Sequence, residues 1–162
     1  MITDLHLVSH SPNDTRAIGR VIGESALPGN VILLIGPLGA GKTCLTQGIA
    51  WGLGISEYTR SPTFVIMTQY KGRLSLFHID LFRIDSNMEV QDLGIDEYIN
   101  STGVCVVEWA DRAIEFFPQK SMLIEMDYGV KNSDRFIRIK NGIQECENLT
   151  QNLQPFCESE AL

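Results

Sequence analysis

The chain has 162 residues, a net formal charge of −7 and a pI near 4.9, with 44% hydrophobic and 20% charged residues. That is the make-up of one ordinary globular domain with a single core. It argues against tight, direct nucleic-acid binding, because the 13 basic residues are scattered rather than clustered. No apolar run approaches the roughly 18 residues of a membrane span, and the start, MITDLHLVSH, lacks the basic stretch and apolar core of a signal peptide.

In chain order, Ile2 to Val8 reads as a first strand at an edge. Ser11-Pro12-Asn13-Asp14 signals a helix start, with Ser as cap, Pro at the first helical position and an acid in the first turn. Ala17, Ile18, Val21, Ile22 and Ala26 follow as an apolar stripe at helical spacing. Pro28-Gly29-Asn30 breaks that helix and leads into five apolar residues, Val31 to Ile35.

This strand runs into Gly36-Pro37-Leu38-Gly39-Ala40-Gly41-Lys42-Thr43, which satisfies G-x-x-x-x-G-K-[ST]. About one random chain of this length in 200 carries such a match. A buried-type strand before the octet and a helix-compatible Thr43 to Trp51 after it argue against a plain Gly-rich turn. The glycines let successive N–H groups converge on phosphate oxygens at a helix N-terminus. The nucleotide-contacting positions are therefore Gly36, Leu38, Gly39, Ala40, Gly41, Lys42, Thr43 and Cys44. Lys42 reaches the outer phosphates, and the Thr43 hydroxyl is placed to hold Mg²⁺.

Gly52 and Gly54 end the next helix, and Arg60-Ser61-Pro62-Thr63 is a polar loop. Phe64 to Tyr70 and Leu74 to Asp80 are joined by Lys71-Gly72-Arg73 as a hairpin. Ser86 to Glu89 has capping-box spacing, so a short helix runs to Leu93 and ends at Gly94, with another helical piece at Ile95 to Ile99. Gly103 to Val107 is a second buried-type strand, followed by a helix through Ala113 and Phe117 that Pro118 stops. Ser121 to Met126 and Arg135 to Lys140 form a closing hairpin. The expected architecture is a three-layer α/β, P-loop NTPase-like domain over residues 1–140, with a mixed, partly parallel sheet. Residues 141–162 form a polar tail, either a frayed helix or disordered. The four cysteines show no metal-ligand or C-x-x-C spacing, which fits a reducing cytoplasm.

A P-loop protein needs a further carboxylate for Mg²⁺ at the end of a buried strand. Asp80 and Glu108 each close an apolar run, where a carboxylate is costly without a cation, although each could also be the first solvated residue after its strand. Trp109 could stack on a base or serve as core. Thr63 could contact the γ-phosphate or Mg²⁺ as switch loops do, or sit in a plain turn. His78, in a mostly apolar strand, reads as a satisfied structural histidine, and His6 and His10 carry no signal. The Asp-x-x-Gly and Asn-Lys-x-Asp elements of a GTPase are not found, and no arginine cluster follows the P-loop helix. Adenine nucleotide and hydrolysis lead, ahead of small-molecule or protein kinase activity and of a nucleotide-sensing adaptor with negligible turnover.

GPLGAGKT at Gly36 to Thr43, Ser61-Pro62-Thr63-Phe64, His78-Ile79-Asp80-Leu81-Phe82-Arg83, Asp92-Leu93-Gly94 and Glu108-Trp109 occur in the order seen in TsaE, formerly YjeE. The resemblance spans Pro12 to about Lys140 and is far more specific than the P-loop alone. It implies a small cytoplasmic ATPase working with the TsaD and TsaB proteins, which transfer threonylcarbamoyl to the adenosine next to the anticodon of ANN-decoding tRNAs. The ATPase would bind at the TsaD side of that dimer and reset it by hydrolysing ATP to ADP. By the same resemblance Lys42 contacts phosphates, Thr43 and Glu108 serve Mg²⁺, and Asp80 assists the metal or the attacking water. Thr63 belongs to a switch-like loop and Trp109 lies against adenine. Phe82 departs from the family's usual Tyr, and Cys44 from its commoner Thr or Val. Arg112 keeps a basic residue in a variable stretch after Glu108-Trp109.

Overall fold

The computed structural model describes residues 4–57, 60, 66–142 and 148–159. Among the described residues, seven strands form one sheet in the order β1-β7-β6-β2-β5-β4-β3. They are β1 (Asp4–Ser9), β2 (Val31–Ile35), β3 (Met67–Tyr70), β4 (Leu76–Asp80), β5 (Val104–Glu108), β6 (Met122–Tyr128) and β7 (Arg135–Lys140). The central strands β4, β5, β2 and β6 are mutually parallel, while β1, β7 and β3 pair antiparallel outside them. The sheet is thus mixed and partly parallel, and β1 lies at an edge.

The central strands β2 and β5 read as apolar runs because both faces are covered. On one face, Ile32 and Leu34 of β2 and Val104 and Val106 of β5 pack under α1 (Pro12–Ser25) and α2 (Lys42–Gly52). Val31, Leu33, Cys105 and Val107 point the other way, toward α3 (Asn87–Asp92) and α4 (Ile95–Ile99). Burial pushes the Cys105 thiol up to about 12, leaving an inert apolar group. Side chains alternate along a strand, so His78 and Asp80 share the α2 face with Leu76, and Glu108 shares it with Val106. Parallel pairing places Asp80 opposite Glu108 and brings the ends of β4 and β5 to the edge where β2 feeds the P-loop. That is where open α/β sheets bind ligands.

Ser11 caps α1 by accepting from the Asp14 amide at 3.1 Å, and Ser86 caps α3 by accepting from the Glu89 amide at 3.3 Å. The hairpin joining β3 to β4 has Met67 opposite Ile79 and Tyr70 opposite Leu76, and β6 and β7 form the second expected hairpin.

Three expectations are corrected. The buried face of α1 is Thr15, Ile18, Gly19, Ile22 and Gly23, with Ala17 exposed and Val21 half-buried. The helix turns its glycines inward because they let the α2 backbone approach closely. The segment after β5 is not an α-helix but 3₁₀ structure from Ala110 to Phe116, broken at Ala113 (φ −151°, ψ 44°). It begins without a side-chain cap at Trp109, is broken by the non-helical backbone of Ala113, and stops before Pro118, which keeps Phe117 extended. Finally, residues 148–159 of the polar tail are folded: α5 (Leu149–Leu153) buries both leucines in the core under α1. The Glu158 amide then donates to the His6 carbonyl at 3.0 Å, beside an antiparallel bridge from Leu7 to Cys157. Two leucines four apart supply the apolar face that the surrounding polar composition concealed. Among the described residues, no helix is long and apolar enough to cross a membrane.

Candidate functional site

The loop between β2 and α2 curls back on itself, the Ala40 amide donating to the Pro37 carbonyl at 3.1 Å. Gly39 (φ 80°) and Gly41 (φ 100°) hold left-handed conformations that a side chain would strain. Gly41 then delivers the first turn of α2, with Lys42 and Thr43 as its first residues.

Lys42 is 5% exposed. Its ammonium donates to the Gly36 and Pro37 carbonyls at 2.6 and 2.9 Å and lies 4.1 Å from the centroid of the Trp109 ring. Burial pushes its pKa below the usual lysine value, while the Glu108, Asp111 and Asp80 carboxylates pull it back up. These acids keep a cation affordable in a half-enclosed loop.

Glu108, 2% exposed, is gripped at both oxygens. The Thr43 hydroxyl donates to Oε1 at 2.9 Å, and His78 Nε2 is hydrogen-bonded to Oε2. Asp80, 5% exposed, stands beside it and accepts from the Phe82 amide at 2.9 Å. Trp109 takes a left-handed backbone (φ 57°, ψ 38°), which turns its ring out of the strand direction and against Phe82, with centroids 4.9 Å apart. The Arg112 guanidinium carbon lies 5.9 Å from the Phe82 ring centroid and 6.0 Å from that of Trp109.

These groups enclose a cleft of about 420 Å³. Leu38, Gly39, Gly41, Lys42, Thr43 and Cys44 form its loop side, and Asp80, Phe82, Glu108 and Trp109 face them. Gly36 meets the cleft through its carbonyl's bond to Lys42, whereas Ala40 is fully buried in the core behind the loop. The Cys44 thiol donates to the Pro12 carbonyl at 3.4 Å, and burial raises its pKa against the opposing pull of Arg16. Thr63, with the rest of Ser61-Pro62-Thr63-Phe64, lies outside the described residues, as does Cys146.

Three contributors escaped the sequence reading. His78, read as a structural histidine, is one: 0% exposed, it bonds Glu108 on the neighbouring strand, and its Nδ1 has no partner among the described residues. The others are Tyr128 and Arg135, paired at the turn end of the β6–β7 hairpin. The Tyr128 hydroxyl donates to the Leu38 carbonyl, and Arg135 donates to the Gly39 carbonyl through Nε and an Nη at 3.3 and 3.2 Å. Together they brace the outside of the P-loop from about ninety residues away in sequence. No local signal marks them, because the contact arises only when β6 lies beside β2.

Comparison with known proteins bears on this geometry. The sequence model of the family "Threonylcarbamoyl adenosine biosynthesis protein TsaE" matches residues 9–137. A Treponema pallidum protein described as tRNA threonylcarbamoyladenosine biosynthesis protein TsaE is 42% identical over 122 residues, covering 75% of this chain and 90% of the relative. A Bacillus subtilis protein of the same description is 46% identical over 115 residues, covering 70% and 72% of the two chains. The crystal structure of YdiB from Bacillus subtilis superposes with a TM-score of 0.79 at 35% identity, over 96% of this chain and 97% of that one. The fold is accordingly α/β and P-loop NTPase-like, and the chain belongs to the TsaE family of threonylcarbamoyl adenosine biosynthesis proteins.

Proposed function

We propose that the chain is an ATP-binding subunit that hydrolyses ATP to ADP with Mg²⁺, and so supports threonylcarbamoyl transfer to the tRNA adenosine next to the anticodon by a TsaB–TsaD complex. The observation that carries this reading is the hydrogen bond from Thr43 to Glu108 at the head of the P-loop helix. A hydroxyl whose proton is held by a carboxylate turns its lone pairs outward, toward a metal beside the phosphates.

The donor set suits Mg²⁺. Among the described residues no three His, Cys, Asp or Glu side chains gather into an all-protein cage. Mg²⁺ instead takes one or two carboxylates or hydroxyls and fills its octahedron with water and phosphate oxygens. Thr43 and Glu108 would hold the ion, with Asp80 assisting. When bound, Mg²⁺ neutralises charge on the β- and γ-phosphate oxygens.

The chain's own residues then divide the work. Lys42 exchanges the Gly36 and Pro37 carbonyls for phosphate oxygens. The loop amides cradle the phosphates, and the start of α2 adds its dipole. Asp80, on the same face as Glu108, orients the attacking water. Trp109 with Phe82 offers an aromatic surface for adenine, and no Asn-Lys-x-Asp guanine reader is present in the sequence. Binding ADP should therefore displace Lys42 from the Trp109 face and change the indole fluorescence. An unchanged spectrum, with binding established by calorimetry, would count against stacking.

The test of the whole reading is phosphate release from ATP and Mg²⁺ by the purified chain, alone and with TsaB and TsaD. Slow release alone, rising tenfold or more (about 1.4 kcal/mol of barrier) with both partners, is expected. Equally negligible release in both conditions would make the chain a nucleotide-sensing adaptor. Transfer of phosphate to a metabolite without partners would make it a kinase.

A further inference from the structure

We propose that His78 is a positioning residue for this site, fixing the plane of the Glu108 carboxylate so that Oε1 faces the Thr43 hydroxyl. The inference rests on the Mg²⁺-dependent nucleotide site proposed above. His78 sits in the middle of β4 with no exposed surface, on the same sheet face as Glu108. An ionised carboxylate only accepts hydrogen bonds, so Nε2 carries the hydrogen and donates to Oε2. The other oxygen is thereby left to Thr43, at 2.9 Å.

The unpartnered nitrogen separates this role from packing. Buried polar atoms are nearly always satisfied, yet His78 Nδ1 has no hydrogen-bond partner among the described residues. An imidazole kept only for volume would satisfy both nitrogens or give way to leucine, which fills the space at no polar cost. The residue tolerates one orphaned atom in order to aim the other at Glu108. Rotation about the last torsion of a glutamate is soft, so one hydrogen bond from Thr43 leaves the carboxylate plane undetermined. A second, from a rigid ring on the neighbouring strand, determines it. Groups that orient a metal-site carboxylate in this way are worth about 10- to 100-fold in metal affinity.

The experiment is calorimetric titration of ADP into the full chain across a range of Mg²⁺ concentrations and in EDTA, for wild type, His78→Leu, His78→Gln and His78→Asn. The terminal amide of Gln reaches the place of Nε2 and donates to Glu108, whereas that of Asn stands at the place of Nδ1 and does not. In His78→Leu and His78→Asn the Mg²⁺ concentration that gives half of its effect on ADP affinity should rise about tenfold or more. ADP affinity in EDTA should stay at the wild-type value. His78→Gln should restore the Mg²⁺ response. If His78→Leu does not fold, the contrast between Gln and Asn decides the matter. Equal impairment of the Gln and Asn variants, or a loss in EDTA that parallels lost thermal stability, would reduce His78 to a structural residue. A normal Mg²⁺ response in His78→Asn would overturn the assignment while leaving the site reading intact. A wild-type chain with no Mg²⁺ response would overturn both.

Discussion

Glu108→Ala is expected to lower Mg²⁺-dependent ATP hydrolysis by roughly 10²- to 10³-fold, the scale of losing one preorganised electrostatic partner of a transition state. That is about 3–4 kcal/mol of barrier. The carboxylate is 2% exposed and ties the Thr43 hydroxyl to His78. Its removal loses the negative charge beside Lys42 and leaves the buried His78 donor without an acceptor, at a cost of about 1–3 kcal/mol, while the half-buried Thr43 hydroxyl loses its partner. Some stability will therefore be lost with the activity, and thermal melts must precede the assay. Glu108→Gln separates the two effects. Its amide oxygen can accept from His78 while its NH₂ donates to the Thr43 hydroxyl, which also accepts, so volume and contacts are kept while the negative charge and the acceptor for the Thr43 proton are lost. Both variants should still bind ADP in EDTA, where the P-loop amides and Lys42 carry the phosphates. Near-normal turnover in either variant, folded at the assay temperature, would remove Glu108 from the site.

What could be read in the sequence and what could not follows the range of the interactions involved. The P-loop, the Ser11 and Ser86 caps and the two hairpins are written in stretches of four to a dozen residues, and each is found where its local chemistry puts it. Asp80 and Glu108 were legible because each ends an apolar run, and a carboxylate at that place needs a reason. Their adjacency was not, since it depends on β4 pairing with β5, which precedes no local signal. His78 was read as a structural histidine, and its bond to Glu108 was not legible for a related reason. In a strand covered on both faces most positions are apolar, so period-two alternation cannot say which face a lone histidine shares with the site. The brace from Tyr128 and Arg135 depends on β6 returning beside β2, and the folded tail on two leucines within a polar stretch. The glycines of α1 and α2 were read as helix punctuation or passed over. Propensity counts a helical glycine as a cost and is blind to a second helix lying against it.

Those glycines support the largest expected effect on the fold. Gly19 and Gly23 on α1 face Gly48 and Gly52 on α2, four residues apart on each helix, and the two backbones nearly touch. A Cβ added at Gly48 would lie 2.1 Å from the Arg16 carbonyl oxygen, 2.8 Å from its carbon and 2.9 Å from its Cα. All three are backbone atoms, which cannot swing aside as a side chain would. Two effects of opposite sign compete in Gly48→Ala. Helix propensity favours alanine by up to about 1 kcal/mol. Forcing the helices apart costs about 3 kcal/mol, the upper part of the usual overpacking range. The clash should win, and in a chain of this size a net loss of roughly 2–3 kcal/mol lowers Tm by about 4–12 °C. Because α2 begins with Lys42 and Thr43, the displacement should also weaken ADP binding, coupling packing at Gly48 to a site more than a helical turn away. Ala17→Leu on the exposed side of α1 is the control, expected within about 0.5 kcal/mol of wild type. A Gly48→Ala chain as stable as wild type would mean that propensity outweighs contact and that the helices are not held at backbone distance.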